Sequence, residues 1–253
     1  MGIIIIFNPL NITMESRIKR AGIFNEWMTG WLMLFTSTIL HAQPTPLIVR
    51  HTTDFELTGD GSAQAWKNAD WFPLSKFKGT ANYSSQAKLL YSDNGVYGIF
   101  SSTDKKITAT LNEDFADLYR EDVVEVFFWP DESTALYFEY ELSPLNYELP
   151  IIVPNHKGEF FGWTPWHYTG ERKTRHATKV LKDPQGNTTS WIAEFFIPYK
   201  LLKPLQNVNP KPGTQWRANF YRIDYDEGYS SWLWHPVTTN FHDYEHFGII
   251  RFE

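Results

Sequence analysis

No cysteine occurs among the 253 residues. This excludes disulfides, thiolate metal sites, a cysteine nucleophile and a lipid-anchored N-terminal cysteine. Net positive charge is missing too: 23 Lys and Arg stand against 29 Asp and Glu, which argues against nucleic acid, whose phosphates need basic neutralisation. No phosphate-cradling glycine loop is present. Gly59-Asp-Gly61-Ser62 lacks the second flanking glycine of a nucleophile elbow and does not lead from a strand into a helix. Helical periodicity is scarce, with a turn or two near Asp114–Tyr119 and another after Pro198, where proline suits a helix start. The apolar run from Trp27 to Leu40 is shorter and more interrupted than the roughly 20 residues of a membrane span.

That run has another use. Met14 opens Met-Glu-Ser-Arg-Ile-Lys-Arg, and a basic start, a short apolar segment and a small residue at Ala42 form the layout of a secretory signal peptide. The 13 residues before Met14 read as an over-extended start, and an ordinary amphipathic helix is the alternative for the segment. Cleavage near Ala42 would release residues 43–253 as one soluble, secreted or periplasmic domain. With Lys+Arg falling from 23 to 20 and Asp+Glu from 29 to 27, its net charge is about −7.

What the chain has in quantity is period-two alternation and aromatic side chains. Leu136, Phe138, Tyr140 and Leu142 share one strand face, with Tyr137, Glu139 and Glu141 on the other. Residues 123–128, 191–197, 216–223 and 247–252 read as further strands. Lys88–Tyr91 and Val96–Phe100 flank Asp93-Asn94-Gly95, a hairpin signal because Asn-Gly tolerates positive φ. Turn signals at Trp129-Pro130-Asp131, at 183–186 and at 210–213 separate the strands. Many short strands at regular spacing predict an all-β fold: one antiparallel β-sandwich of jelly-roll or immunoglobulin-like type.

Several groups have the elements of chemistry. His242-Asp-Tyr-Glu245-His246 has H-x-x-E-H spacing, but that motif holds zinc on a helix, and a glycine and a β-like ending follow here. Glu139 and Glu141 lie roughly 6–7 Å apart along one strand face, within glycosidase range. Solvated surface is the simpler reading, preferred for Glu141. Asp224-Tyr-Asp226-Glu-Gly228 offers oxygen ligands for a structural calcium, or is an acidic turn. Trp66, Trp191 and Trp216 belong to apolar strand patterns and so to the core, whereas Trp163-Thr-Pro-Trp166 lies in a Gly/Pro-bearing loop and is ambiguous. The closing stretch, from Trp232-Leu-Trp234 to Phe241-His-Asp-Tyr-Glu-His-Phe247, is the densest in rings. Flat side chains with a few hydrogen-bonding groups are what the C–H faces and hydroxyls of a sugar require.

The order of motifs resembles the family 9 carbohydrate-binding modules, known as appendages of xylanases. The landmarks are Glu121-Asp122-Val-Val-Glu125-Val-Phe-Phe, Trp191-Ile-Ala-Glu194-Phe-Phe-Ile-Pro198, Asn219-Phe-Tyr-Arg-Ile-Asp224 and Phe241-x-Asp243-x-x-x-Phe247-Gly. The resemblance implies a β-sandwich that clamps a sugar between two aromatic rings, carried by position onto Tyr119 and Phe241. It also implies polar ligand contacts at Glu125, Glu139 and Tyr221. The family's rings are typically tryptophan, and arginine is typical where Glu139 stands. A carboxylate accepts where a guanidinium donates, and Arg120 is a candidate to supply the missing donor. Three functions follow as expectations: an exported carbohydrate-binding protein working beside glycan-degrading enzymes, a glycoside hydrolase using Glu139 with Glu125 or Glu141, or a scaffold whose rings are all core. None of them requires a cofactor.

Overall fold

The computed structural model describes residues 45–203 and 205–253; the leader reading for residues 1–42 lies outside them. The strands in chain order are β1 (Leu47–His51), β2 (Phe72–Lys78), β3 (Ser85–Tyr91), β4 (Gly95–Thr103), β5 (Val123–Trp129), β6 (Leu136–Leu142) and β7 (Glu148–His156). They continue with β8 (Glu159–Phe160), β9 (Thr164–Pro165), β10 (Arg175–Lys182), β11 (Thr188–Pro198), β12 (Gln215–Asp224), β13 (Ser230–Leu233) and β14 (Gly248–Phe252). A single helical turn, α1 (Tyr199–Leu202), begins directly after Pro198. Among the described residues no helix is long and apolar enough to cross a membrane.

The antiparallel ladder β7–β6–β5–β12–β14 forms one layer and β10–β11–β4–β3 the other. Two strands join them. β1 pairs in parallel with β14 through Leu47–Val49 and with β3 through Arg50 and His51. β2 pairs with β3 through Phe72–Leu74 and with β13 beyond it. Strands that change layer in this way close the flanks of a sandwich and leave fewer unpaired edges.

Alternation puts Trp191, Trp216, Trp232, Phe128, Phe138 and Phe220 between the layers, all buried. Close approach is enforced where the sequence has glycine. A Cβ on Gly98 would sit 2.0 Å from the Phe195 ring, and one on Gly248 would sit 2.5 Å from the indole of Trp234. The expected β3–β4 hairpin forms, but neither Asn94 nor Gly95 adopts positive φ. Gly95 is required there for room: its Cβ would lie 2.3 Å from the Ile197 carbonyl oxygen.

The second face of β5–β6–β7–β12 departs from expectation. Phe127, Tyr137, Ile151 and Tyr221 on that face are buried under loops that contribute Leu118, Tyr244 and Phe247. Glu141, read above as solvated surface, is 1% exposed, and Glu139 is 4% exposed. The polar-out half of the pattern has been roofed over, because the β4–β5 connection and the segment 234–247 fold back across the sheet.

Polar side chains pin these loops. Asp122 accepts the amides of Thr108 at 2.6 Å and Tyr225 at 2.9 Å, and Glu121 accepts that of Leu111 at 2.9 Å. Asn219 takes the His235 amide and donates to its carbonyl, while Asp243 accepts the Thr238 amide at 2.7 Å. Glu194, fully buried, accepts amides from Thr58 at 2.8 Å and Gly61 at 2.6 Å.

Candidate functional site

Between the two covering loops the roof is incomplete. It leaves a cleft of about 320 Å³ over the middle of β5 and β6. Cross-strand register builds its floor: Glu125 on β5 stands opposite Glu141 on β6, and Phe127 stands opposite Glu139. Directly opposed side chains in an antiparallel pair lie roughly 5 Å apart at Cβ, so three carboxyl groups share one small patch of sheet.

Rings make the walls. Tyr119 sits half-buried in the middle of a short turn, Leu118–Arg120. Its carbonyl accepts the Tyr225 hydroxyl at 3.2 Å, and Trp163 meets its ring edge to face at 6.3 Å. Opposite in sequence, Phe241 stacks on Tyr221 at 4.0 Å with planes 16° apart, and the Tyr221 hydroxyl donates to the Phe241 carbonyl at 2.9 Å. Phe160 stacks on His242 at 4.1 Å, and His242 lies over Phe127 at 5.5 Å. Trp163, Phe160 and Tyr229 are among the most exposed large apolar side chains described, so the cleft opens to solvent.

The electrostatics of the floor follow from burial without countercharge. Burial pushes the Glu125 carboxyl up to about 8. The same burial, reinforced by Glu125, holds Glu139 and Glu141 well above the usual carboxylate range. Burial pushes the His242 imidazole down to about 4. Its 3.8 Å approach to Glu139 is therefore a contact of two neutral groups at neutral pH, and Nδ1 instead shares a 2.6 Å hydrogen bond with the Tyr137 hydroxyl. One oxygen each of Glu139 and Glu141 has no hydrogen-bond partner, which is costly in a buried site unless another molecule supplies one.

Of the six residues marked out by sequence, Tyr119, Glu125, Glu139 and Phe241 line this cleft. Tyr221 does not: it is fully buried and acts as the support under Phe241. Arg120 also stays out. Its side chain is 68% exposed and pairs with Asp117 at 3.0 Å, with the guanidinium 5.7 Å from the Tyr119 ring centre. Glu141, named above only as a possible catalytic partner of Glu139, and Trp163, of the ambiguous loop pair, also line the cleft, as do Tyr225 and Tyr229, which were not singled out. The signal for Glu141 was present in its period-two relation to Glu139; for the tyrosines of the 225–229 turn there was none. Trp166, the other half of the ambiguous pair, turns inward and donates its indole N–H to Leu201 at 2.9 Å.

His242 and His246 do not converge on a metal. His246 bonds Asp243 at 2.8 Å while His242 bonds Tyr137. The oxygen-ligand reading at 224–228 corresponds to a real cluster of carboxylates. Carboxylate oxygens of Asp104, Asp224 and Asp226 lie within 4.8 Å of one another. However, the buried Arg222 guanidinium already donates to Asp104 at 3.0 Å and Asp224 at 2.7 Å. Arg222 thus supplies a covalently attached cation beside these three carboxylates.

A protein-family model described as carbohydrate family 9 binding domain-like matches residues 58–253. The chain belongs to that family. No curated protein sequence matches it. Solved structures with the same fold include a protein of Bacteroides uniformis provisionally assigned as carbohydrate-binding, 14% identical with a TM-score of 0.66, covering 83% of this chain and 100% of that one. A family 9 carbohydrate-binding module of Caldicellulosiruptor kristjanssonii was solved with cellotriose (17% identity, TM-score 0.59, 83% and 94% coverage). A family 9 carbohydrate-binding module from the same organism was solved with glucose (18% identity, TM-score 0.55, 81% and 95% coverage). At these identities the likeness establishes the fold. Within this family 9 domain the landmark polar residues Asp122, Glu194, Asn219 and Asp243 hold loops in place, while Glu125, Phe127, Ile223 and Phe241 of the same motifs line the cleft.

Proposed function

We propose that this family 9 domain is an exported carbohydrate-binding protein, holding a sugar between Tyr119 and Phe241 over a floor of carboxyl groups in support of polysaccharide breakdown. The observation that carries the reading is one cleft lined by both rings and by Glu125, Glu139 and Glu141, with buried oxygens of Glu139 and Glu141 lacking partners. Sugar hydroxyls donate and accept, and apolar ring faces stack on aromatics, so a pyranose satisfies both the walls and the floor. A cleft of about 320 Å³ stands at the small end of the roughly 300–1,000 Å³ typical of ligand sites. It fits a terminal sugar unit or two better than a run of chain. The basic, then apolar, leader pattern supports export.

Hydrolysis is the weaker reading of the same carboxyls. A glycosidase needs one ionised and one protonated group, set apart by their environments. Here burial drives all three in one direction, upward.

Calorimetry and tryptophan fluorescence with glucose, cellobiose and xylobiose test the proposal. Tyr119→Ala and Phe241→Ala should each weaken binding by about 1–2 kcal/mol, roughly five- to thirty-fold, from lost stacking area. Unchanged affinity in both variants, or no binding to any glycan of a broad array, overturns it. Release of reducing sugar by the wild type would return the carboxyls to catalysis.

A further inference from the structure

We propose that the cleft selects a sugar carrying a free, protonated amino group, with Glu125, Glu139 and Glu141 receiving the ammonium and the surrounding rings packing against it. This rests on the carbohydrate-binding reading and names the class of sugar.

The starting point is a mismatch of charge. Three carboxyl side chains, all at or below 4% exposure, are gathered by strand register at the bottom of one cleft. Buried acidic groups are ordinarily paired with a cation or with several amide donors, and elsewhere in this molecule they are. Glu194 takes backbone amides and Asp104 and Asp224 take Arg222. No lysine or arginine lines the cleft among the described residues, and the nearby Arg120 turns to solvent and Asp117. Glu139 and Glu141 share a hydrogen bond with each other and Glu141 takes one from the Tyr119 backbone, yet one oxygen on each is left with no donor and none of these contacts brings a positive charge. The other titratable groups around the trio, His242 and the hydroxyls of Tyr137, Tyr221, Tyr225 and Tyr229, supply no positive charge at neutral pH.

The walls point to the same ligand. Tyr119, Trp163, Tyr225 and Phe241 line the cleft above the carboxyls. Aromatic faces attract cations through their quadrupole, and they do so more strongly where water is excluded. A ring cluster closed at one end by acidic groups is the surroundings an ammonium favours, and it is hostile to a carboxylate. A neutral sugar can satisfy the hydroxyl-binding capacity of the floor but cannot offset its latent charge. An amino sugar does both: its ammonium lets one carboxyl give up a proton to solvent and pair with it.

The test uses isothermal titration of the full chain with glucosamine, N-acetylglucosamine, glucose, glucuronic acid and choline. Glucosamine should bind at least about tenfold more tightly than glucose, equivalent to about 1.4 kcal/mol, with N-acetylglucosamine close to glucose and glucuronic acid weakest. Glu141→Gln keeps the shape of the floor and removes one ionisable group. It should reduce the preference for glucosamine to within about threefold of glucose, read as the ratio of the two affinities in the same variant. Should that variant not fold, titrating the wild type at pH 6 in two buffers of different ionisation enthalpy gives the same information. Amines of this kind are already charged there, so proton release on binding must come from the floor. Equal binding of glucose and glucosamine overturns the inference and leaves the carbohydrate-binding reading intact. Binding of choline without any sugar overturns both, whereas silence across the whole panel overturns this inference and leaves the wider reading to the glycan array.

Discussion

Replacing Glu125 by glutamine should make the domain more resistant to alkaline pH. The side chain is 2% exposed, and burial raises its carboxyl from the ordinary 4.5 to about 8. Below pH 4.5 the carboxyl is protonated whether the chain is folded or not, so its contribution is fully present. As pH rises through the interval to about 8, the unfolded chain ionises while the folded one keeps its proton, and stability falls. At about 1.4 kcal/mol per pH unit, a rise of three to four units amounts to roughly 5 kcal/mol lost by pH 8, a large share of the 5–15 kcal/mol that holds a typical domain. Glutamine has no proton to lose. Urea unfolding followed by tryptophan fluorescence at pH 5, 7 and 9 should show near-equal midpoints at pH 5 and a variant progressively more stable than the wild type above it. Some decline remains in the variant, because Glu139 and Glu141 are shifted in the same direction. Parallel profiles for the two proteins would show that Glu125 ionises freely in the folded state and would refute the argument for an uncompensated floor.

Two further outcomes test the frame that carries the cleft. Glu194→Ala removes the buried acceptor of the Thr58 and Gly61 amides and should cost about 3–5 kcal/mol in denaturant unfolding, since buried amides lose a charged partner. Glu194→Gln should cost clearly less. Gly98→Ala places a methyl 2.0 Å from the Phe195 ring and should destabilise by about 1–3 kcal/mol through overpacking, seen as a lowered melting temperature with sugar binding retained at low temperature.

Much of this was legible before any coordinates. The alternation at 136–142 and the turn signals around it specify strands and a two-layer core, because side chains on a strand face opposite ways and apolar ones must be covered. Trp66, Trp191 and Trp216 went where their patterns sent them. The hairpin at 92–95 was foreseen for a partly wrong reason: Gly95 is needed to let another strand approach, a constraint that comes from β11 and not from the turn itself.

What sequence reasoning placed outside was decided by tertiary structure. Glu139 and Glu141 carry an alternation that reads as a wet strand face, and local pattern cannot register that segments over a hundred residues apart will fold across it. The same remoteness explains the cleft. Tyr119, Trp163, Tyr225 and Phe241 come from four separate loops, and only the closing of those loops over β5 and β6 brings them to one opening. Composition and periodicity determined a β-sandwich and its aromatic core. The burial of three carboxyls in a cleft that no lysine or arginine lines among the described residues belongs to the tertiary structure alone, because charge compensation depends on which distant side chains arrive and which do not.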